Sequence, residues 1–211
     1  MKLPSVPLLW AALSVACLPI CAAAETGAPE PARPMPAPPM VDGDCGEYAA
    51  LGAERHVVDA DVTLSIHQDP HYIWVCYTLP EDSFGMLDMR VESDALARPL
   101  NLHVSAQLGE WPADDPDAAP SGASSDAWWR IHGWTANWQW FHGLDTSGAS
   151  PRPAFVYARA REVQLARSRF GSGPVRLVLK IESIRRADGS DSALRVPESG
   201  VLTVPGVPAA G

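Results

Sequence analysis

From Asp59 onward the chain alternates with a period of two. Val62, Leu64 and Ile66 alternate with Thr63, Ser65 and His67. Successive side chains of a strand point to opposite sides, so this pattern predicts a strand with one buried and one wet face. Gln68-Asp69-Pro70-His71 reads as a turn, and Tyr72 to Leu79 is rich in aromatic and β-branched residues, so the two runs predict a hairpin that Pro80-Glu81-Asp82-Ser83 ends. Met86 to Val91 predicts a third strand, with Leu87, Met89 and Val91 on one face and Met86, Asp88 and Arg90 on the other. Leu100 to Leu108 gives the clearest alternation. It predicts one strand with Leu100, Leu102, Val104, Ala106 and Leu108 inward and Asn101, His103, Ser105 and Gln107 outward. Pro112 to Asp126 is a polar loop, Phe155 to Ala158 a short strand, and Glu162 to Phe170 fits either a helical turn or an edge strand. Val175, Leu177, Leu179 and Ile181 mark a strong strand through Ile184, Asp188-Gly189 a hairpin turn, and Val201 to Val204 a short final strand. Short strands with turn signals between them, and no amphipathic helix, predict an all-β fold: a jelly-roll-like antiparallel β-sandwich over residues 45–205, with a frayed tail at 206–211.

The ends change the picture of where the protein works. Residues 1–24 read as an export signal: Lys2, a mostly apolar run from Leu8 to Ile20, and Ala22-Ala23-Ala24 as a cleavage site. The run is too short and too broken by proline for a membrane span. Cys17 and Cys21 leave lipoprotein anchoring as a minor alternative. Residues 25–44, with Pro29, Pro31, Pro34, Pro36, Pro38 and Pro39, predict an extended linker. Removal of the signal leaves Cys45 and Cys76, which suggests one disulfide in a secreted or periplasmic protein; a buried free thiol at Cys76 is the alternative. Asp and Glu outnumber Lys and Arg by 25 to 16. That balance argues against nucleic acid or an anionic membrane as partner.

Five of the eight tryptophans fall between Trp128 and Trp140, interleaved with Arg130, His132, Asn137 and Gln139. Sugar rings present apolar C–H faces that stack on indoles, while amide, imidazole and guanidinium groups bond the hydroxyls around them. Trp134 and Trp138, with Arg130 and Asn137, are therefore the candidate carbohydrate platform, and His103 and Gln107 on the outward row are its candidate wall. The alternative is that Trp128, Trp134 and Trp140 fill the core while Trp129 and Trp138 cover its edge. No H-E-x-x-H, C-x-x-C, G-x-S-x-G or phosphate-cradling Gly loop occurs, so no catalytic residues and no enzymatic activity are expected. His67 with His71, and His132 with His142, lack a metal-ligand spacing, and the acidic run Asp114-Asp115-Pro116-Asp117 lacks the bidentate Glu of a calcium loop. No cofactor is expected from spacing.

Tyr72-Ile73-Trp74-Val75-Cys76-Tyr77 followed by Asp88-Met89-Arg90-Val91-Glu92 resembles the strand series of the family 9 carbohydrate-binding modules and their DOMON-like relatives. The resemblance covers about Asp59 to Ile184. Leu102 to Glu110 and Trp128 to Trp138 are similar to segments of exported bacterial proteins with this fold. It implies an exported jelly-roll sandwich. In the sugar-binding members aromatic residues sandwich a terminal sugar, a part that Trp134 and Trp138 could play. Other relatives hold haem b through Met and His, which would implicate Met86 or Met89 with His103 or His132. The expectation is a non-catalytic exported module that binds carbohydrate or a glycan-bearing envelope component. A haem-binding electron carrier and a protein-interaction module with a buried Trp cluster are the alternatives.

Overall fold

A computed structural model describes residues 37–137, 140–156 and 159–208. The expected signal at 1–24, most of the expected linker, Trp138 and the last three residues lie outside the described residues. Among the described residues thirteen strands run β1 (Glu54–Asp59), β2 (Val62–Gln68), β3 (Tyr72–Thr78), β4 (Met86–Ser93), β5 (Leu100–Val104), β6 (Leu108–Pro112), β7 (Trp134–Ala136), β8 (Trp140–Asp145), β9 (Arg152–Val156), β10 (Ala160–Ala166), β11 (Val175–Arg185), β12 (Asp191–Val196) and β13 (Leu202–Val204). One short helix, α1 (Arg167–Phe170), follows β10, and a 3₁₀ turn at Gly46–Ala49 precedes β1.

The strands form two antiparallel sheets, one in the order β1-β2-β3-β10-β7 and the other β12-β11-β4-β5-β6 with β13 beside β11, plus a separate β8–β9 pair. Their inner faces share one core: Val62, Leu64, Ile73, Val75, Tyr77, Val163 and Leu165 from the first sheet meet Leu87, Met89, Val91, Leu102, Leu177 and Leu179 from the second. The fold is an all-β sandwich, built because the strands turn apolar residues to a shared inner side; β3 buries its other face as well, through Trp74 and Cys76. Among the described residues no helix is long and apolar enough to cross a membrane.

Local chemistry fixes the register. Asp69 Oδ1 accepts the N–H groups of His71 (2.6 Å) and Tyr72 (2.7 Å), closing the β2–β3 turn. In β11, Ser183 takes a positive φ of 56° and the register with β12 shifts between Ile181 and Ile184. The bulge turns both isoleucines into the core although they are three apart.

The structure departs from the expectations at four places. The run from Leu100 to Leu108 is not one strand: it folds back after Val104, and β5 pairs β6 with Val104 opposite Leu108. Ser105 N–H donates to Gln107 O (2.9 Å) to close the turn, so Ala106 is exposed rather than inward. The alternation persists across the bend because a three-residue turn keeps odd–even parity. The segment from Glu162 is strand to Ala166 and then one helical turn, and the strand lies between β3 and β7 rather than at an edge. The strand β1 has no sequence counterpart, since charged residues on this edge mask its alternation. Residues 42 and 43, expected as linker, are tied to the first sheet through Glu162 on β10.

Candidate functional site

The outer face of the second sheet carries a convergence of polar and aromatic groups. Pairing places Lys180, Asp88, His103 and Gly109 in one row across β11, β4, β5 and β6. Val178, Arg90, Asn101 and Trp111 form the row beside it. The strand pleat sends all of these outward, because their neighbours Leu87, Met89, Leu102 and Val104 are in the core.

His103 is the centre. Its ring lies between two indoles, 5.7 Å from Trp111 and 5.4 Å from Trp128, tilted by 35° and 44°. Nδ1 is 2.9 Å from Asp88 Oδ1, and Asn101 Nδ2 donates to the same oxygen at 2.8 Å. Burial disfavours the charge on Asp88, but the hydrogen bonds from His103 and Asn101 and the positive field of His103 and Lys180 outweigh it. The carboxyl therefore sits below its ordinary range. An ionised Asp88 can only accept, so the proton of the shared bond is on His103 Nδ1. His103 Nε2 is left without a partner among the described residues.

Gly109 makes the arrangement sterically possible. A Cβ there would stand 2.6 Å from Trp128 Cζ3 and 2.8 Å from its Cε3, inside van der Waals contact. Trp128 therefore lies flat where β6 has no side chain. Its Nε1 donates to Gly122 O at 2.8 Å, while Trp129 N–H donates to Leu108 O at 2.7 Å and Gln107 Nε2 to Ala123 O at 2.8 Å. These bonds staple the polar loop after Pro112 against the β5–β6 turn and make it the wall at one end of the row.

The residues named from sequence are distributed differently from the expectation. His103 is at the centre. Gln107 sits in the β5–β6 turn, holding the loop that carries Trp128. Arg130 is on the surface and pairs with Asp126 in its own loop. Trp134 is in the core, 6% exposed, with Nε1 donating to Glu110 Oε2 at 2.6 Å. Glu110 also takes both Nη groups of Arg169 (2.6 and 2.8 Å). Burial raises its carboxyl, yet the Arg169 and Trp134 bonds win and hold it low. Trp134 is thus a packing ring with its N–H satisfied, not a platform. Asn137 is 8% exposed and spent on the backbone: Nδ2 donates to Ala160 O, and Oδ1 accepts Glu162 N–H. Trp138 lies outside the described residues. Asp88, Asn101, Trp111 and Trp128 complete the site instead. Alternation had already turned Asp88 and Asn101 outward, but no local signal gives the register that sets them beside His103.

Cys45 and Cys76 form a disulfide. Of the residues named for haem, Met89 is wholly buried between the sheets, on the opposite face from His103, while Met86 is half-buried on the same side as His103 and His132 is exposed. Among the described residues no group of three or more His, Cys, Asp or Glu is placed to hold a metal ion. A groove of about 690 Å³ opens between β1 and β12. Two of its charged groups are spent within the chain, Asp59 on Arg186 and Arg195 on the carbonyls of Pro197 and Gly200. Compared with protein-family models, curated proteins and solved structures, the chain matches none.

Proposed function

We propose that this chain is an exported, non-catalytic sugar-binding module whose site is the Trp111–His103–Trp128 face of the second sheet. The observation that carries the reading is a set of unspent hydrogen-bonding groups beside an indole. Asp88 Oδ2, Asn101 Oδ1, His103 Nε2 and the Trp111 N–H have no partner among the described residues, and all point outward from two adjacent rows. Asp88 Oδ2 and Asn101 Oδ1 are acceptors and the Trp111 N–H is a donor, which suits a ligand that carries hydroxyl groups around an apolar ring face. Asp88 and Asn101 are fixed by bonds to their other atoms, so little side-chain freedom is lost when a ligand docks. The disulfide supports the exported setting, where such bonds persist.

The test is isothermal calorimetry of the mature protein against a panel of soluble oligosaccharides and peptidoglycan fragments. At least one should bind with unit stoichiometry, and both Asp88→Asn and Asn101→Ala should weaken it by about tenfold or more, the loss of one to two bonds to a charged or amide group. Binding that both variants leave unchanged would place the site elsewhere.

A further inference from the structure

Where the β2–β3 turn meets the end of β10 and the loop before β11, the first sheet carries a pocket of about 490 Å³, unconnected with the sugar-binding reading. Its polar side chains are His71, Tyr72, Arg167, Ser168 and Ser172. Each of the five can donate a hydrogen bond, and among the described residues no carboxylate lines the pocket. Acids outnumber bases by 25 to 16 in the chain, so a wall of donors without an acid runs against its average composition.

Arg167 is the charged member of this wall and is only 4% exposed. Its Nη1 donates to Gly171 O (3.0 Å) and Gly173 O (3.3 Å), and its Nη2 to Gln68 Oε1 and Pro205 O (3.1 Å). These four acceptors are neutral. They tie the turn, the loop and the segment after β13 together, but they leave the positive charge whole. Nε is buried as well and has no acceptor among the described residues. Among the described residues no carboxylate forms an ion pair with Arg167. Asp69, whose field reaches it, is spent on the N–H groups of His71 and Tyr72. A buried cation without a counter-charge is costly, and a guanidinium cannot escape that cost by losing its proton. The hydroxyls of Ser168, Ser172 and Tyr72 and the His71 ring make no hydrogen bond among the described residues, so the donors around this charge are unspent.

We propose that this pocket is an anion site: it takes a small oxyanion, the carboxylate, sulfate or phosphate group of a ligand, on the Ser168 and Ser172 hydroxyls, and the anion supplies the counter-charge that Arg167 lacks. Both hydroxyls can turn toward an acceptor, and bonds to an ionised acceptor are about twice as strong as neutral ones. The guanidinium behind them is desolvated, so water and salt screen its attraction for an anion less than they screen that of a surface arginine. Tyr72 and His71 add donors from the turn. The site lies on the first sheet and the sugar-binding face on the second, so either can fail without the other.

The test is an NMR titration of the oxidised protein with sodium phosphate, sodium sulfate and sodium acetate in turn, at fixed pH and with chloride holding the ionic strength constant. The reporters are the Arg167 Nε–H resonance and the backbone amides of Ser168 and Ser172. At least one anion should shift all three along a single saturating curve. Saturation with acetate alone assigns a carboxylate ligand, and saturation with phosphate or sulfate alone a tetrahedral one. Ser168→Ala and Ser172→Ala should each weaken binding by about tenfold, the loss of one bond to a charged group. Arg167→Gln should abolish it, and where that variant does not fold the two serine variants decide. Shifts that stay linear with all three anions, or binding that both serine variants leave unchanged, overturn the proposal.

Discussion

Gly109→Ala isolates the packing that builds the candidate site. The added methyl would meet Trp128 at 2.6 and 2.8 Å and Trp111 at 3.4 Å. Carbon atoms rest at about 3.5–4.0 Å, so the Trp128 ring has to move by about 1 Å. Its hydrogen bond to Gly122 O and its contact with His103 are both geometrically tight. Losing the bond costs about 1 kcal/mol and losing the ring contact about another 0.5–1.5 kcal/mol. A total of roughly 2 kcal/mol lowers the melting temperature by about 4–8 °C for a domain of this size. The assay is a double-mutant cycle with Trp128→Ala, followed by thermal unfolding. In the Trp128→Ala background the extra methyl meets only Trp111, at the ordinary contact distance of 3.4 Å, and its cost should fall to within about 0.5 kcal/mol of zero. Tryptophan emission should shift on Gly109→Ala in the wild type, because an indole leaves its place over the sheet. An equal cost for Gly109→Ala in both backgrounds refutes the argument, since the penalty would then lie in the backbone of β6.

Three further outcomes are expected. Glu110→Gln leaves the mostly buried Arg169 without its counter-charge and weakens the bond to Trp134, so unfolding by urea should show a loss of about 2–3 kcal/mol. Stability should depend on pH with two opposite signs. Glu110 and Asp88, held low, add stability that is lost only as pH falls below the ordinary carboxylate range, whereas Glu162 adds stability that is lost as pH rises from 4.5 through about 7. A melting-temperature series should accordingly decline over that upper window in the wild type and stay flat there in Glu162→Gln. Reducing the disulfide, which closes a sequence separation of 31 residues, should cost about 3–4 kcal/mol by chain entropy, measured by denaturation with and without a dithiol.

The sequence carried the fold because each strand had to bury one side: Val62, Leu64 and Ile66 on β2, and Leu87, Met89 and Val91 on β4, face the core as their alternation requires. The break between β5 and β6 was hidden because the turn at 105–107 preserves parity, and only Gly109 and Pro112 hint at a change. The candidate site was half legible. His103, Asp88 and Asn101 were outward by pattern, but their meeting depends on pairing between β4 and β5, which periodicity does not encode. Trp density pointed to the neighbouring stretch, and there the structure divides the rings. Trp134 is drawn into the core because Glu110, itself held by Arg169, accepts its N–H. Trp128 stays on the surface because Gly109 leaves room for it. The tie of residues 42 and 43 to the first sheet was invisible for a related reason: its partner, Glu162, lies 119 residues from Gly43.

The most direct test of a sugar-binding face is a titration of intrinsic tryptophan fluorescence with the oligosaccharide panel, on the wild type, Trp111→Ala and His103→Ala, with an absorption spectrum recorded beforehand. The wild type should show no Soret band and a saturable change with at least one glycan, and both variants should lose that change while their melting transitions stay cooperative. A Soret band in the purified protein, or saturable glycan binding that survives both substitutions, would contradict the sugar-binding reading.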